Sequence, residues 1–596
     1  MSQITDCKGI PYPVFTTGTV SSCENVKGAK PEGSVYCLKI NTIGENAPFP
    51  LPGQFFMLRS EKSQQLLARP ISVFHAEKTN FGVQISFLIL LKGKGTAELC
   101  SLEVDDKVQI LGPLGNIFPK PKNEGGKVLI CGGGIGVAPV AGFAESLKDN
   151  SYDFIASFKS GSYGLDYIKP ENLTITTDDG SVGLKGMITA AIDVEKIKKA
   201  GYSEVFACGP APMLNYIKTV SEEAGIQCWL SMEARMACGV GVCLGCVIPT
   251  AKGNLRCCKD GPVFDSKILS FPKPAPSLIE KNPPIEKPDL SVTINGVRFQ
   301  NPLIGSSGTF GFGTEYAPIF DVNRLGGIAS KGLTLEPRQG NSGIRIWETP
   351  SGLMNSIGLQ NPGIPHFIEK ELPEMMKFKA VSIANLSGSS LETYVEGAKL
   401  LEKTNVPVIE LNISCPNVSA GGAAFGMSCA SAETVVKAVR AVTKKPLWVK
   451  LTPQSTELNA VALSCIKAGA DAISLCNSFQ GVAIDIETGR PVFEKIKAGF
   501  GGPAVRPIAV RLIYELYQAI QTLPEEKRVP IIAIGGISTW QDVIEFIMVG
   551  ADAVEVGTNT FANPLTMLEC IDGIENYMKR KGIKTLNEIK GISHKI

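Results

Sequence analysis

Along the first 120 residues the apolar positions come in short runs, VYCLKI, QFFMLR and VQISFLILL, separated by glycine- and proline-bearing turns. Runs of that length between turn residues predict strands. From Gly126 the texture changes. GKVLICGGGIGVAPVAGFAESL reads as a strand, a glycine turn and a helix, and EVFACGPAPMLNYIKTV repeats that order. Met232 to Phe264 is rich in cysteine and glycine and follows neither period. Phe271–Pro288 (FPKPAPSLIEKNPPIEKP) carries proline and lysine without periodicity and predicts a semi-rigid spacer. Beyond it, eight short apolar runs alternate with helical stretches: LIGS (303–306), GIAS (327–330), VSIA (381–384), VIELN (408–412), PLWVK (446–450), AISLC (472–476), PIIAIG (530–535) and AVEVG (553–557). That alternation predicts a parallel (β/α)8 barrel, with a doubly wound open sheet as the rival.

At 596 residues the chain exceeds what one hydrophobic core serves, so several domains are expected. A net charge of +2 gives no electrostatic footprint for nucleic acid or an anionic membrane. The stretch MSQITDCKGIPYPVF lacks a basic segment followed by an apolar run, and the apolar stretch Phe87–Leu91 is too short to span a bilayer. A cytoplasmic location is therefore expected. Only His75, His366 and His594 are present, which argues against a Ser–His–Asp hydrolase or a histidine-rich metal site. The 17 cysteines of such a chain point to metal ligation or catalysis rather than to disulfides.

The cysteines are most ordered in MACGVGVCLGCVIPTAKGNLRCCKDG. Cys238, Cys243 and Cys246 have the C-x4-C-x2-C spacing of plant-type 2Fe–2S sites, and a fourth cysteine follows downstream. Four thiolates must converge on two irons, and Gly239, Gly241 and Gly245 let the backbone wrap closely and aim amides at sulfur. Cys257 and Cys258 both stand where the fourth ligand belongs; Cys258, before Lys-Asp-Gly, is favoured. A zinc knuckle would ask for a second C-x2-C pair, which is absent.

Further motifs precede this module. Arg69, Pro70, Ile71 and Ser72 form R-P-x-S, and Gly95-Thr96 follows some 25 residues later. An arginine and a Gly–Thr turn can hold a pyrophosphate. CGGGIG after a strand suits a nucleotide loop. With C-G-P-x-x-M (Cys208, Gly209, Pro210, Met213), this order resembles the ferredoxin–NADP reductase superfamily. The resemblance implies a β-barrel that binds FAD and an α/β domain that binds the nicotinamide nucleotide. With the cysteine module appended, residues 12–270 resemble the electron-transfer subunit of NAD-linked dihydroorotate dehydrogenases. That subunit often has an aromatic–basic pair where this chain has Leu88-Ile89-Leu90.

In the predicted barrel, functional side chains belong at the C-terminal strand ends. Polar or glycine residues resume at all eight: Ser307-Gly308-Thr309, Lys331, Asn385, Asn412, Lys450, Asn477-Ser478, Gly535-Gly536 and Gly557-Thr558. After the fourth strand, ELNISCPNVSAGGAAFG places Cys415 between Asn412 and Asn417, with Gly421-Gly422 suggesting a lid. LMNSIGLQNPG adds Asn355 and the turn Ser356, Ile357, Gly358 and Leu359. Neutral amides at 355, 412, 417 and 477 suit a planar ring bearing several C=O and N–H groups, such as a pyrimidine.

Residues 289–596, with SSGTFGFG, SKGLTLEPRQGN, MNSIGLQNPG, NISCPN, VKLTP, GGPAVRP, IGGI and VGT, closely resemble the class 1 dihydroorotate dehydrogenases. The resemblance implies that Cys415 is the catalytic base, with Lys331 beside it in the catalytic set. It implies substrate contacts from Lys331, Asn355, Ser356, Ile357, Gly358, Leu359, Asn412, Asn417, Asn477 and Ser478. FMN would be held by Ser307, Lys331, Gly332, Asn385, Asn412, Lys450, Cys476, Gly502, Gly535, Gly536, Gly557 and Thr558. FAD would be held by Arg69, Pro70, Ile71, Ser72, Gly95 and Thr96, and the 2Fe–2S cluster by Cys238, Cys243, Cys246 and Cys258.

The implied architecture is an FAD-binding β-barrel over 1–120, an NAD-binding α/β domain over 121–228, a 2Fe–2S module over 229–270, a linker over 271–288 and an FMN-binding TIM barrel over 289–596. The implied activity is oxidation of dihydroorotate to orotate in pyrimidine biosynthesis: Cys415 takes the C5 proton, C6 gives hydride to FMN, and electrons pass through the 2Fe–2S cluster and FAD to NAD+. A homodimer through the barrels is implied too. In this subclass the two parts are commonly separate subunits, so their fusion in one chain is a departure. The competing expectations are a pyrimidine reductase like dihydropyrimidine dehydrogenase, and an electron-transfer flavoprotein whose barrel is inactive.

Overall fold

A computed structural model describes residues 12–43, 47, 49–122, 126–272, 276–280, 282–414 and 425–595. The chain divides into two compact units, Met1–Ala275 and Pro276–Ile596.

The first unit opens with a closed antiparallel barrel of six strands. Around the barrel they run Val14–Asn25, Val35–Ile43, Gly82–Leu90, Arg69–Thr79, Phe55–Ser60 and Lys107–Leu114. Alternate side chains, among them Leu38, Ile40, Ile85, Phe87, Val108 and Ile110, fill its interior. A seven-stranded sheet follows, in which only Val263–Asp265 runs antiparallel to its neighbour. At its centre Val128–Gly133 lies beside Glu204–Cys208. From the first of these the chain winds outward one way through Tyr152–Phe158 and Asn172–Thr177; from the second it winds the other way through Gln227–Ser231. The strand order therefore reverses between the two central strands, and in open α/β sheets such a crevice is where ligands sit.

The second unit is a closed parallel barrel, which excludes the open-sheet alternative. Its strands are Leu303–Gly305, Gly327–Ala329, Val381–Leu386, Val408–Asn412, Leu447–Lys450, Ala472–Leu475, Ile531–Ile534 and Ala553–Val556, each paired with the next and the last with the first. Side chains alternate between the helix shell and the barrel interior. The lowest interior layer is apolar. Ile304, Ala329, Ile383, Val408, Trp448, Ala472, Ile532 and Ala553 pack on Ile294 and Phe299 of the hairpin Val292–Ile294 and Val297–Phe299. The indole of Trp448 donates to Asn295 Oδ1 at 2.9 Å, so this hairpin plugs the floor. Two residues further along the strands, the same alternation places Ser306, Asn385, Glu410, Lys450, Ser474 and Glu555 in the next layer, all buried.

Above the strand ends lies an element that the sequence reading did not anticipate. A four-stranded antiparallel sheet is built from Ile346–Thr349, Gly352–Asn355, Lys497–Gly501 and Phe479–Val482. It is drawn from the long connections after the second and sixth barrel strands. Among the described residues no helix is long and apolar enough to cross a membrane.

Candidate active site

A cavity opens at the C-terminal end of the barrel. Its lining includes Ser307, Asn412, Lys450, Cys476, Asn477, Ser478, Gly502, Gly535, Gly536, Gly557 and Thr558, so it brings together eleven of the residues expected to contact FMN or substrate. Ser306, Thr309, Phe479, Phe500, Gly501 and Val505 complete much of the wall. Gly535 and Gly536 adopt positive φ, at 135° and 74°. A methyl on Gly536 would come within 2.6 Å of the Arg506 amide nitrogen at the start of the helix Arg506–Gln521. Bare backbone turned toward a helix start suits an anion.

The cavity floor is a chain of buried polar groups. Lys450 Nζ lies 2.7 Å from Glu555 Oε2 and 3.5 Å from Glu410 Oε2. Ser306 Oγ donates to Glu555 Oε2 at 3.0 Å, and Asn385 Nδ2 to Glu410 Oε2 at 2.5 Å. Asn412 Nδ2 donates to Asn385 Oδ1 at 3.2 Å, Ser414 Oγ to Asn412 Oδ1 at 2.7 Å, and Asn477 Nδ2 to Ser414 Oγ at 2.8 Å. Burial opposes the charge on Lys450, but the two carboxylates outweigh it and keep the ammonium protonated. Burial and the neighbouring Glu410 push Glu555 up to about 8, whereas Lys450 and the donors around Glu410 overcome burial and hold that carboxyl below its usual range. Burial raises the Cys476 thiol to about 12, so it lines the cavity as a neutral group.

Lys331 and Ile357 line a neighbouring depression with Phe312, Arg338, Gln360 and Asn361. Lys331 Nζ donates to the Gly308 carbonyl at 3.1 Å, and burial lowers its pKa, partly offset by Glu315. Gly332 is where Leu359 and Asn385 approach: a methyl there would lie 2.8 Å from Leu359 Cδ2 and 3.3 Å from Asn385 Oδ1. Asn355, on the mouth sheet, donates to the Gly499 carbonyl at 3.4 Å, and both it and Ser478 crowd the Gly499 α-carbon. The turn at Ser356, Ile357 and Gly358 is braced by Asn341, whose amide donates to Ser356 Oγ at 3.0 Å. Cys415 and Asn417 lie outside the described residues. Ser306, Asn341, Glu410, Ser414 and Glu555 escaped the sequence reading. For the two glutamates a signal existed, since each is a lone charge inside an apolar strand, VIELN and AVEVG.

These groups fit FMN. A cation, amides and hydroxyls face one cavity, and its rim offers glycines where a side chain would intrude on a helix start. Ser307, Lys450, Gly502, Gly535, Gly536, Gly557 and Thr558 would hold it.

In the first unit the R-P-x-S and Gly–Thr motifs meet. A methyl on Gly95 would lie 2.1 Å from Arg69 Nε. Pro70, Ile71 and Ser72 follow Arg69 on the strand, partly exposed, opposite Met57, Phe56 and Phe55. The Thr96 hydroxyl is engaged by the turn itself, accepting from the amides of Lys92 at 2.9 Å and Gly93 at 3.0 Å. A guanidinium drawn against bare backbone fits the pyrophosphate of FAD. At the strand-order reversal the other two motifs touch: a methyl on Gly133 would strike Met213 Sδ, and one on Gly136 would strike the Cys208 carbonyl.

The cysteine module presents two pairs. The Cys243 amide donates to Cys238 Sγ at 3.5 Å, and the Cys258 amide to Cys246 Sγ at 3.4 Å. Backbone amides of Cys243 and Val240 outweigh burial and lower the Cys238 thiol to about 6. Cys257 turns elsewhere, donating to the Met232 carbonyl at 3.2 Å. Among the described residues no three such side chains are gathered around one mononuclear point. Two pairs of thiols fit two irons, and Cys238, Cys243, Cys246 and Cys258 would hold the cluster.

Residues 289–578 match the family model for dihydroorotate dehydrogenase, and residues 233–270 that for the iron–sulfur cluster binding domain of dihydroorotate dehydrogenase B. Three relatives are named "Dihydroorotate dehydrogenase B (NAD(+)), catalytic subunit". The one from Petrotoga mobilis is 51% identical over 304 residues, covering 99% of that protein and 51% of this chain. Those from Parabacteroides distasonis and Alkaliphilus metalliredigens are each 45% identical, covering 97% and 99% of those proteins and 51% of this chain. Through its second unit, the chain belongs to the dihydroorotate dehydrogenase family, in the branch of these NAD+-linked catalytic subunits.

Proposed function

We infer that the chain oxidises (S)-dihydroorotate to orotate, a step of pyrimidine biosynthesis, and delivers the electrons to NAD+. The match of 304 residues at 51% identity over nearly the whole of a named catalytic subunit carries this reading. Residues 1–120 are assigned to FAD, 121–228 to the nicotinamide nucleotide, 229–270 to the 2Fe–2S cluster and 289–596 to FMN and substrate, with 271–288 as linker. When bound, the two flavins and the cluster supply two-electron and one-electron redox chemistry, which couples a C–H oxidation to NAD+ reduction.

The chain's own residues bind and orient the substrate and move its proton. Asn355, Asn412, Asn417, Asn477 and Ser478 offer donors and acceptors to the edges of the ring, and Lys331 supplies positive charge beside them. Cys415, as thiolate, removes the proton from C5. Lys450 contributes a fixed positive charge under the cavity, where negative charge develops on reduction. Two copies are proposed to associate through their barrels; the exposed apolar residues Ile346, Trp347, Val482, Ile484 and Ile486 around the barrel mouth support this.

Anaerobic titration with dihydroorotate tests the reading. Flavin absorbance should bleach, a cluster signal should appear, and NAD+ should restore the oxidised spectrum. Bleaching by reduced nicotinamide followed by reoxidation with uracil but not with orotate would replace it with pyrimidine reduction.

A further inference from the structure

In the second interior layer of the barrel, two carboxyls face one ammonium. Glu410, Glu555 and Lys450 are all buried, with relative exposures of 0%, 1% and 3%. One oxygen of each carboxyl is satisfied. Glu555 Oε2 takes Lys450 at 2.7 Å and Ser306 at 3.0 Å, and Glu410 Oε2 takes Asn385 at 2.5 Å with Lys450 at 3.5 Å. The other oxygens, Glu410 Oε1 and Glu555 Oε1, are buried without a hydrogen-bond donor. With both groups ionised, the set would hold a net negative charge and two bare carboxylate oxygens, each at a desolvation cost. Both carboxyls converge on the one Lys450 ammonium, and each bears on the titration of the other. The remaining strands offer Ser306 and Asn385, which already serve the Oε2 atoms, the neutral Ser474, whose hydroxyl is itself without a partner and stands by Glu410, and the Cys476 thiol, which burial keeps neutral.

We propose that Glu410 and Glu555 share one proton, carried on Glu555 Oε1 and donated to Glu410 Oε1, and that this pair positions Lys450 beneath the flavin site. One proton removes both defects at once. It turns two bare acceptors into a donor–acceptor pair, and it brings two carboxyls and an ammonium to net zero. Neither glutamate touches substrate in this scheme. They fix where the Lys450 charge stands and keep the layer from presenting a negative charge to a cofactor that gains electrons. That consequence rests on the functional reading above; the shared proton does not.

The test is infrared spectroscopy of wild type, Glu555→Gln and Glu410→Gln, each uniformly labelled with [13C]Glu or unlabelled, in the absence of substrate. Wild type at neutral pH should show a label-sensitive C=O band of a protonated carboxyl, which disappears on alkaline titration. Both variants should lack it, because the remaining carboxylate can then accept from the introduced amide. Absence of the band in wild type, or its persistence in both variants, overturns the shared proton. Should one variant fail to fold, loss or persistence of the band in the other decides. The positioning role is read from the flavin midpoint potential against pH. Wild type should show a break in slope where the band is lost, and Glu555→Gln a continuous line. Identical lines overturn the positioning role. Failure of dihydroorotate to bleach the flavin would count against the functional reading and would leave the band unchanged.

Discussion

Arg69 Nε stands 2.1 Å from the point that a methyl group on Gly95 would occupy. The two residues belong to motifs some 25 positions apart, and the bare α-carbon is what lets the guanidinium close over the turn. Gly95→Ala would meet the end of a flexible side chain rather than backbone, so Arg69 would swing away and the fold would survive. Losing one charge-assisted hydrogen bond of about 1.5–3 kcal/mol would weaken FAD roughly 10- to 100-fold. FAD released on gel filtration, with far-UV circular dichroism unchanged, is the expected result; tight FAD in the variant would place the pyrophosphate elsewhere.

Cys257 and Cys258 separate cleanly in space although they are adjacent in sequence. Cys258 sits against Cys246, while Cys257 is fully buried and bonded to the Met232 carbonyl. Cys258→Ser should therefore strip iron and the visible cluster spectrum, and Cys257→Ser should retain both. Iron and sulfide analysis of the two purified proteins decides the ligand.

How much of this could be read from the sequence follows from the periods involved. The eight barrel strands were legible because strands buried on both faces are near-continuous apolar runs, and polar residues resume where each strand opens into the cavity. The mouth sheet was not legible. IWET, GLMN and FQGV are short, half-exposed segments; IWET and GLMN pair locally, but GLMN joins Lys497–Gly501 across more than a hundred residues, and nothing local marks that pairing. The union of Arg69 with Gly95 is likewise a tertiary fact. Glu410 and Glu555 were legible in principle, because a charge in the middle of a buried strand must have a partner; the identity of that partner, Lys450, needed the barrel's closure.

The floor hairpin gives a stability prediction independent of any cofactor. Asn295 accepts from the Trp448 indole at 2.9 Å and donates to the Asp471 carbonyl at 2.9 Å. Asn295→Ala would leave a buried N–H without an acceptor, a cost of about 1–3 kcal/mol. A lowered midpoint in urea with an unchanged slope would confirm it. An unchanged midpoint would mean that water replaces the amide.

The buried carboxyls make stability depend on pH in opposite senses. Burial and Glu410 raise Glu555 in the folded protein to about 8, above the ordinary carboxyl value of 4.5, so its contribution is fully present below the ordinary value and is lost as pH rises through the folded one. Glu410 is lowered, so its contribution is present above the ordinary carboxyl range and is lost as pH falls through its folded value. The thermal midpoint of the cofactor-free protein should therefore decline between mildly acidic pH and about 8, and Glu555→Gln should flatten that decline. A wild-type midpoint that rises over the same window would mean that neither carboxyl keeps its proton above the ordinary carboxyl range.

Cys415 is the residue on which the proposed chemistry turns. A positioned base contributes about 100- to 10,000-fold, so Cys415→Ala should slow dihydroorotate oxidation by that order. Reduction of an artificial dye by NADH, which on the proposed assignment needs only the first unit and its cofactors, should continue at the wild-type rate. The wild-type rate should climb with pH as the thiol ionises, an unperturbed thiol having a pKa of about 8.5. Cys415→Ser replaces it with a far weaker acid, so that variant should be slow at neutral pH and keep gaining activity where wild type has levelled off. Stopped-flow measurement of flavin bleaching by dihydroorotate isolates the step from NAD+ reduction. A wild-type bleaching rate in Cys415→Ala would remove Cys415 as the base, whatever the family resemblance of the loop that carries it.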